Sequence, residues 1–346
     1  MLDRADQVAA SWRSRYDRLR LNTSRQLSHL PGRRFPKGTP LFPSRDQYVA
    51  YLQEQAAALD VRLRTAAQRI DQAEQGWVVH TSSGDYQAAQ VVLATGFENQ
   101  PYIPDWLGRD KYEGPIVHSS AYRNPTPYEG KSALVVGPGC SGMEIAYDLA
   151  SGGASRVWLA VRTPPNILLR QSPGPVPGDW LGVPLLHAPR RFADWFTRLG
   201  QRSDLGDLSP YGLPFPDEGV FARLDRLGVE PTIVDREVIE AVKERRIEVV
   251  AGVESLDDSG VELADGSRLE PEAIVCATGY RRHLEPLVGH LGVLDPAGRP
   301  RSTGTEPAAP GLWFVGFVPR PAALGAMGKE GKRVARRIAQ LRGSPR

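Results

Sequence analysis

Cysteine is scarce in this chain: Cys140 and Cys276 are the only two among 346 residues. Two cysteines so far apart exclude a disulfide framework, a CxxC redox pair and a cysteine-based zinc site. A reducing, cytoplasmic setting is therefore expected. No apolar run approaches the length of a membrane-spanning helix. The first 20 residues are studded with Asp and Arg and lack the apolar stretch of a secretory signal. Tandem repeats and low-complexity segments are absent as well. So is any evident carboxylate pair, Ser/His/Asp set or metal-ligand cluster, and no metal is expected.

The charge balance is nearly even, with 43 Lys and Arg against 40 Asp and Glu. The small excess sits at the end of the chain, where residues 329–346 hold seven cations and one Glu. Val334, Ile338 and Leu341 recur there at helical spacing, which predicts a terminal amphipathic helix with a solvated basic face. No aromatic-interleaved basic surface marks a nucleic-acid partner. The hydrophobic content of 41% is enough to bury a core, and the length suggests about two domains.

Thirty-five glycines and 30 prolines imply many tight turns between short elements. Apolar, β-branched runs at 91–94, 133–136, 157–161, 274–277 and 312–315 read as buried parallel strands. Helical patterns lie at 46–59, with Ser44 as its cap, and at 140–150. Strands alternating with helices predict an α/β fold with parallel sheets. Lesser strands are expected at 76–81 and 261–265, the second entering an Asp-Gly turn at Gly266. Residues 164–235, rich in Pro, Gly, Trp and Arg, read as an insertion or lid with a helical patch at 190–199.

The clearest motif is Gly137-Pro138-Gly139-Cys140-Ser141-Gly142, which follows an apolar strand and opens a helix. That context makes a GxGxxG informative. Gly137 permits the tight turn, Gly139 the approach of a pyrophosphate, and Gly142 close packing of helix on strand. The exposed amides at the helix start hold negative charge. Some 20 residues on, an NAD site would carry an acid. Here Arg162 stands at the strand end, and its guanidinium suits a 2′-phosphate, so NADPH is the expected cofactor. Two further strands end alike, in Ala94-Thr95-Gly96 and Ala277-Thr278-Gly279. Small residues at a strand end admit a dinucleotide or another backbone. The pair suggests a flavoprotein with two dinucleotide units.

These residues resemble the flavin-containing monooxygenase family, the group B flavoprotein monooxygenases with their YUCCA-like and bacterial branches. The resemblance rests on an aromatic-x-Gly-xxx-His-xxx-aromatic string at Tyr112, Gly114, His118 and Tyr122, ahead of the NADPH strand. It extends to Trp12-Arg13, Tyr16-Asp17, residues 43–46, both Ala-Thr-Gly ends and residues 311–316, essentially the whole chain. Tyr122 followed by Arg123 departs from related Baeyer–Villiger enzymes, which favours heteroatom or YUCCA-like oxygenation. His118 reads as structural. The resemblance implies an α/β fold of two Rossmann-like dinucleotide-binding domains. An FAD-type domain would span 1–125 plus 281–346, and an NADPH-binding domain 126–280. It further implies that NADPH reduces FAD, and that reduced flavin and O₂ form a C4a-hydroperoxide. This would oxygenate a small N-, S- or 2-oxo-acid-type substrate. By the same resemblance, Asp3 would bind the FAD ribose, with Trp12, Thr95 and Gly96 against FAD. Residues 137–142 would hold the NADPH pyrophosphate and Arg162 its 2′-phosphate. Thr278 and Gly279 would lie at the domain junction, and Asn22 would be the active-site amide.

One departure stands out. No GxGxxG occurs before residue 130, and Met1 to Ala5 read like the end of a second strand, so the FAD-type domain is expected to be incomplete at its N-terminus. The family's Gly-Gly before Trp12 is Ala9-Ala10 here. Two readings of the start compete, a misplaced start or a true truncation. An alternative function is therefore a flavin-free NADPH-binding remnant without monooxygenase activity. A related disulfide reductase is opposed by the missing CxxC. Substrate and oligomeric state stay open, a homo-oligomer included.

Overall fold

The computed structural model describes residues 1–171, 176–318 and 322–343. The chain forms two compact units. One comprises Met1–Arg13, Ser24–Gln100 and Tyr280–Arg346, the other Ser14–Thr23 and Pro101–Gly279. Residues 14–23 and 101–125 thus belong to the same unit as the 137–142 loop.

The loop-bearing unit is built on a five-stranded parallel sheet. Its order is Glu248–Ala251, Arg156–Val161, Ser132–Val136, Ala273–Cys276, Ile116–His118. The inner strands are apolar on both faces because both faces are covered. Successive side chains point to opposite sides. Ala133, Val135, Val157, Leu159 and Val275 pack with Met143, Ile145 and Leu149 of the helix Cys140–Ser151. Leu134, Trp158, Ile274 and Cys276 pack with Leu256, Val261 and Leu263 on the other side. Those last three residues come from an antiparallel sheet of Val253–Leu256, Val261–Leu263 and Arg268–Leu269. Gly266, at φ +80°, turns its final hairpin.

The insertion has a small order of its own. Ile167–Leu169 and Thr232–Val234 pair in parallel, and four helices follow or separate them: Gly178–Leu185, Arg190–Leu205, Val220–Leu227 and Arg236–Lys243. The patch expected at 190–199 continues to Leu205. It packs in an unusual sense. Ala193, Thr197, Gln201 and Leu205 are buried, while Phe192, Trp195, Phe196 and Leu199 are exposed.

In the other unit, Ala67–Gln72, Trp77–Thr81 and Gly84–Ala88 form an antiparallel meander. Ser44 caps the helix Arg45–Ala56 in a reciprocal capping box with Gln47. Val91–Leu93 pairs in parallel with Leu312–Phe314, and Leu2 makes a parallel bridge to Arg62. Ile70, Trp77, Leu93, Leu312 and Phe314 centre its core. The helix Ala323–Gly343 buries Val334 and exposes Lys332, Arg333, Arg336 and Arg337. Residues 344–346 of the basic tail lie outside the described residues.

Each unit has a strand that ends in Ala-Thr-Gly. In the loop-bearing unit that strand has two neighbours, one being the glycine-loop strand Ser132–Val136. In the other, Val91–Leu93 has one strand partner among the described residues, Leu312–Phe314. The α/β expectation with Rossmann-like units holds. No helix among the described residues is long and apolar enough to cross a membrane.

Candidate functional site

The glycines of the 137–142 loop divide into structural and open positions. Gly137 sits at φ +108°, and a Cβ there would lie 2.6 Å from the Ala277 carbonyl oxygen. At Gly142 a Cβ would come within 1.8 Å of the Gly137 oxygen, so only hydrogen allows helix and strand to approach this closely. Gly139 differs: a Cβ there meets nothing within 4 Å. It caps the helix Cys140–Ser151, whose first intrahelical bond runs from the Met143 amide to the Gly139 carbonyl at 3.0 Å. The amides of Cys140, Ser141 and Gly142 precede that bond and form the positive end of the helix dipole. Such amides are suited to an anion.

The insertion holds this loop from one side. Thr232 donates its hydroxyl to the Pro138 carbonyl at 2.9 Å, and the Ile233 amide donates to Cys140 Sγ at 3.2 Å. Burial pushes the Cys140 thiol up to about 11 and the Cys276 thiol up to about 12. Both stay protonated at neutral pH and are unsuited to nucleophilic or redox work.

The aromatic-Gly-His-aromatic string turns out to be a set of struts. Tyr112 donates its hydroxyl to the Pro271 carbonyl. A Cβ at Gly114 would strike the Tyr112 ring at 2.6 Å. The Ser120 amide donates to His118 Nδ1 at 3.1 Å, which leaves the proton on Nε2 for the Gly279 carbonyl at 2.9 Å. Tyr122 donates to Asp148 Oδ2 at 2.8 Å, on the loop's own helix. The Tyr102 amide also binds Gly279 O, at 3.0 Å, and Thr278 donates its hydroxyl to the Tyr102 carbonyl. The string thus fixes the Thr278–Gly279 turn and the glycine-loop helix, and His118 is structural.

Arg162 stands exposed just past the strand Arg156–Val161, beside Gly252. It makes no ion pair among the described residues. Asn22 lies in the same unit. The Arg170 Nη2 donates to its Oδ1 at 3.3 Å and to Glu144 Oε1 at 2.8 Å, while Nη1 pairs with Asp235. Arg18 adds a contact to Glu144 at 3.5 Å. Burial raises the Glu144 carboxyl, against the pull of Arg170. Sequence reading missed Glu144, Arg170 and Thr232. The usable signal was a lone Arg closing the apolar run 167–169.

The other unit holds the remaining expected residues. Asp3 follows the Leu2 bridge, and its Oδ1 accepts the Ala5 amide at 2.9 Å. Trp12 packs edge-on against Tyr48, ring centroids 4.6 Å apart. Thr95 is exposed, and at Gly96 a Cβ would meet nothing within 4 Å, as at Gly279.

Residues 29–167 match the family described as pyridine nucleotide-disulphide oxidoreductase. Indole-3-pyruvate monooxygenase YUCCA1 of Oryza sativa subsp. japonica is 32% identical over 330 residues, which cover 92% of this chain and 80% of that protein. Probable indole-3-pyruvate monooxygenase YUCCA4 of Arabidopsis thaliana is 29% identical, covering 92% and 79%. Among solved structures, a mutant flavin monooxygenase from Stenotrophomonas maltophilia superposes with a TM-score of 0.72 at 22% identity, covering 97% of this chain and 90% of that one. Cyclohexanone monooxygenase from Rhodococcus sp. Phi1, bound to NADP⁺, gives 0.70 at 18% identity, covering 99% and 79%. The structures share the fold, and the plant enzymes share the sequence along most of both chains. The chain belongs to the flavin-containing monooxygenase family.

Proposed function

We propose that this chain is an NADPH-dependent, FAD-containing monooxygenase that places one oxygen atom of O₂ in a small 2-oxo acid of the indole-3-pyruvate kind. The observation that carries the reading is the open glycine loop in a chain 32% identical to an indole-3-pyruvate monooxygenase. Bound FAD and NADPH supply hydride transfer and oxygen activation. The chain would bind and orient them. Amides of residues 140–142 would hold the NADPH pyrophosphate, with Pro138 and Gly139 shaping the approach and Arg162 meeting the 2′-phosphate. Asp3 would take the FAD ribose, and Trp12, Thr95 and Gly96 would lie against the flavin nucleotide. Thr278 and Gly279 would let a backbone or cofactor pass closely, and Asn22 would be the amide at the reacting end. The loop-bearing unit is then NADPH-type and the other FAD-type. The sequence assigns no glycine loop before residue 130 to the flavin pyrophosphate.

The relatives do not favour a flavin-free NADPH-binding role. The test is an absorbance spectrum after refolding with FAD and desalting, followed by NADPH oxidation and oxygen uptake with indole-3-pyruvate, a tertiary amine and a sulfide. A retained flavin band with oxygen uptake driven by indole-3-pyruvate is expected. Flavin retention with uptake driven only by the amine or sulfide would move the substrate class. A folded, colourless protein that never oxidises NADPH would refute the reading.

A further inference from the structure

We propose that Arg170 is a positioning residue that fixes Asn22 as a pure hydrogen-bond donor and ties it to the dinucleotide loop. The proposal rests on the reading of Asn22 as the amide at the reacting end. Among the described residues, the one hydrogen-bonding partner of Asn22 is Arg170 Nη2, 3.3 Å from Oδ1. A guanidinium carries donors and no acceptor. The amide must therefore turn its oxygen to Arg170, and its NH₂ group points the other way. Asn22 is half-buried, and its Nδ2 is not among the buried unpaired atoms, so these two donors face accessible space. They suit a carbonyl or anionic oxygen of cofactor or substrate and cannot accept a proton.

Arg170 is itself held rigidly. Its side chain is 3% exposed and bonds Glu144 at 2.8 Å and Asp235 on separate elements. Its amide donates to the Val234 carbonyl at 2.8 Å, and its carbonyl accepts the Gly178 amide at 3.0 Å. Glu144 lies one turn into the helix whose first amides form the dinucleotide loop. The guanidinium that orients Asn22 therefore also grips that helix.

The test follows the Asn22 side-chain amide by nitrogen-15 NMR, with Asn22→Asp assigning the resonance by deleting it. Arg170→Gln combined with Glu144→Gln removes a charge of each sign. The Asn22 pair is expected to move from a distinct position to that of free side-chain amides, and its response to added NADP⁺ to shrink. An unchanged pair would overturn the proposal. Arg170→Lys gives a second readout that keeps the buried positive charge between Glu144 and Asp235. A single ammonium lacks the planar fork that reaches both carboxylates and Asn22 together, so the Asn22 pair should still move. An unchanged pair in this variant would overturn the proposal too. If native protein fails to bind NADP⁺, the dinucleotide reading falls, and the ligand-free spectra still decide the role of Arg170.

Discussion

Replacing Gly139 and Gly142 by alanine, one at a time, should separate cofactor binding from folding within a single loop. At Gly142 the added carbon would lie 1.8 Å from the Gly137 oxygen, far inside the 3.0 Å that such contacts respect. The helix Cys140–Ser151 would have to lift off its strand. Overpacking of this kind costs about 1–3 kcal/mol. Alanine's better helix propensity returns at most about 1 kcal/mol. A contact at 1.8 Å belongs to the upper half of that range, so the net loss is about 1–2 kcal/mol, and at about 2–4 °C per kcal/mol for a unit of this size the Tm should fall by roughly 2–8 °C. Gly139 sits at φ −73° and ψ 176°, open to any residue, and its added carbon meets nothing. Exchanging a glycine cap for alanine costs about half a kcal/mol, so Tm should move by only about 1–2 °C. That carbon would, however, occupy the approach to the free amides. Losing one charge-assisted hydrogen bond costs about 1.5–3 kcal/mol, so NADP⁺ affinity should fall roughly ten- to hundredfold. Thermal unfolding and calorimetric titration measure the two effects separately. A Gly139→Ala variant that binds NADP⁺ as tightly as the native protein, or a Gly142→Ala variant that melts where the native protein does, would refute these roles.

Arg162→Ala should leave Tm unchanged, since the side chain is exposed and unpaired among the described residues, yet weaken NADPH about tenfold or more while sparing NADH; equal losses for both nucleotides would exclude a 2′-phosphate role. Ala9 occupies φ +61°, a left-handed position that costs a non-glycine residue about 1 kcal/mol. Ala9→Gly should therefore raise stability slightly, by up to about 1 kcal/mol, whereas Ala10→Gly inside the helix Ala10–Arg13 should lower it by a similar amount; the same sign in both melts would defeat this account. The Arg268 side chain, which hydrogen-bonds Asp257, holds its carboxyl below the usual range. Its stabilising contribution is present above about pH 4 and fades as pH falls towards the depressed folded value. Arg268→Gln should bring the Asp257 titration back up in a carbon-13 NMR experiment, and an unmoved titration would show that the arginine is not the cause.

The three inner strands of the sheet in the loop-bearing unit were legible because they are short apolar runs buried on both faces, whereas the edge strands Ile116–His118 and Glu248–Ala251, only partly buried, carry no such signal and were missed. The cap at Ser44 and the turn at Gly266 were legible because each depends on residues two or three positions apart, though Gln47 as the reciprocal partner of Ser44 went unread. The sequence reads His118 as structural, but it does not show what the aromatic-Gly-His-aromatic string holds. Its spacing is local, whereas His118 finds its partner at Gly279 and Tyr112 at Pro271, contacts that only the folded sheet brings together. The Arg170 network was hidden for the same reason, since it joins residues 22, 144, 170 and 235. The helix Arg190–Leu205 was legible only as a helical patch, with no face assigned. Its small and polar stripe is the buried one, and its aromatic stripe is exposed. No periodicity argument distinguishes a stripe aimed inward from one aimed outward.

The grip of Thr232 and Ile233 on Pro138 and Cys140 bears on how this scaffold could be re-engineered. Residues 164–235 invite exchange between relatives as a cassette in search of altered substrate choice. The ribbon that closes the cassette, however, also holds the glycine loop 137–142. A graft that lacked a hydroxyl at position 232 would carry a slackened loop into the chimera. If that loop holds NADPH as proposed, any change of substrate choice made this way would bring a change in the handling of the reductant with it.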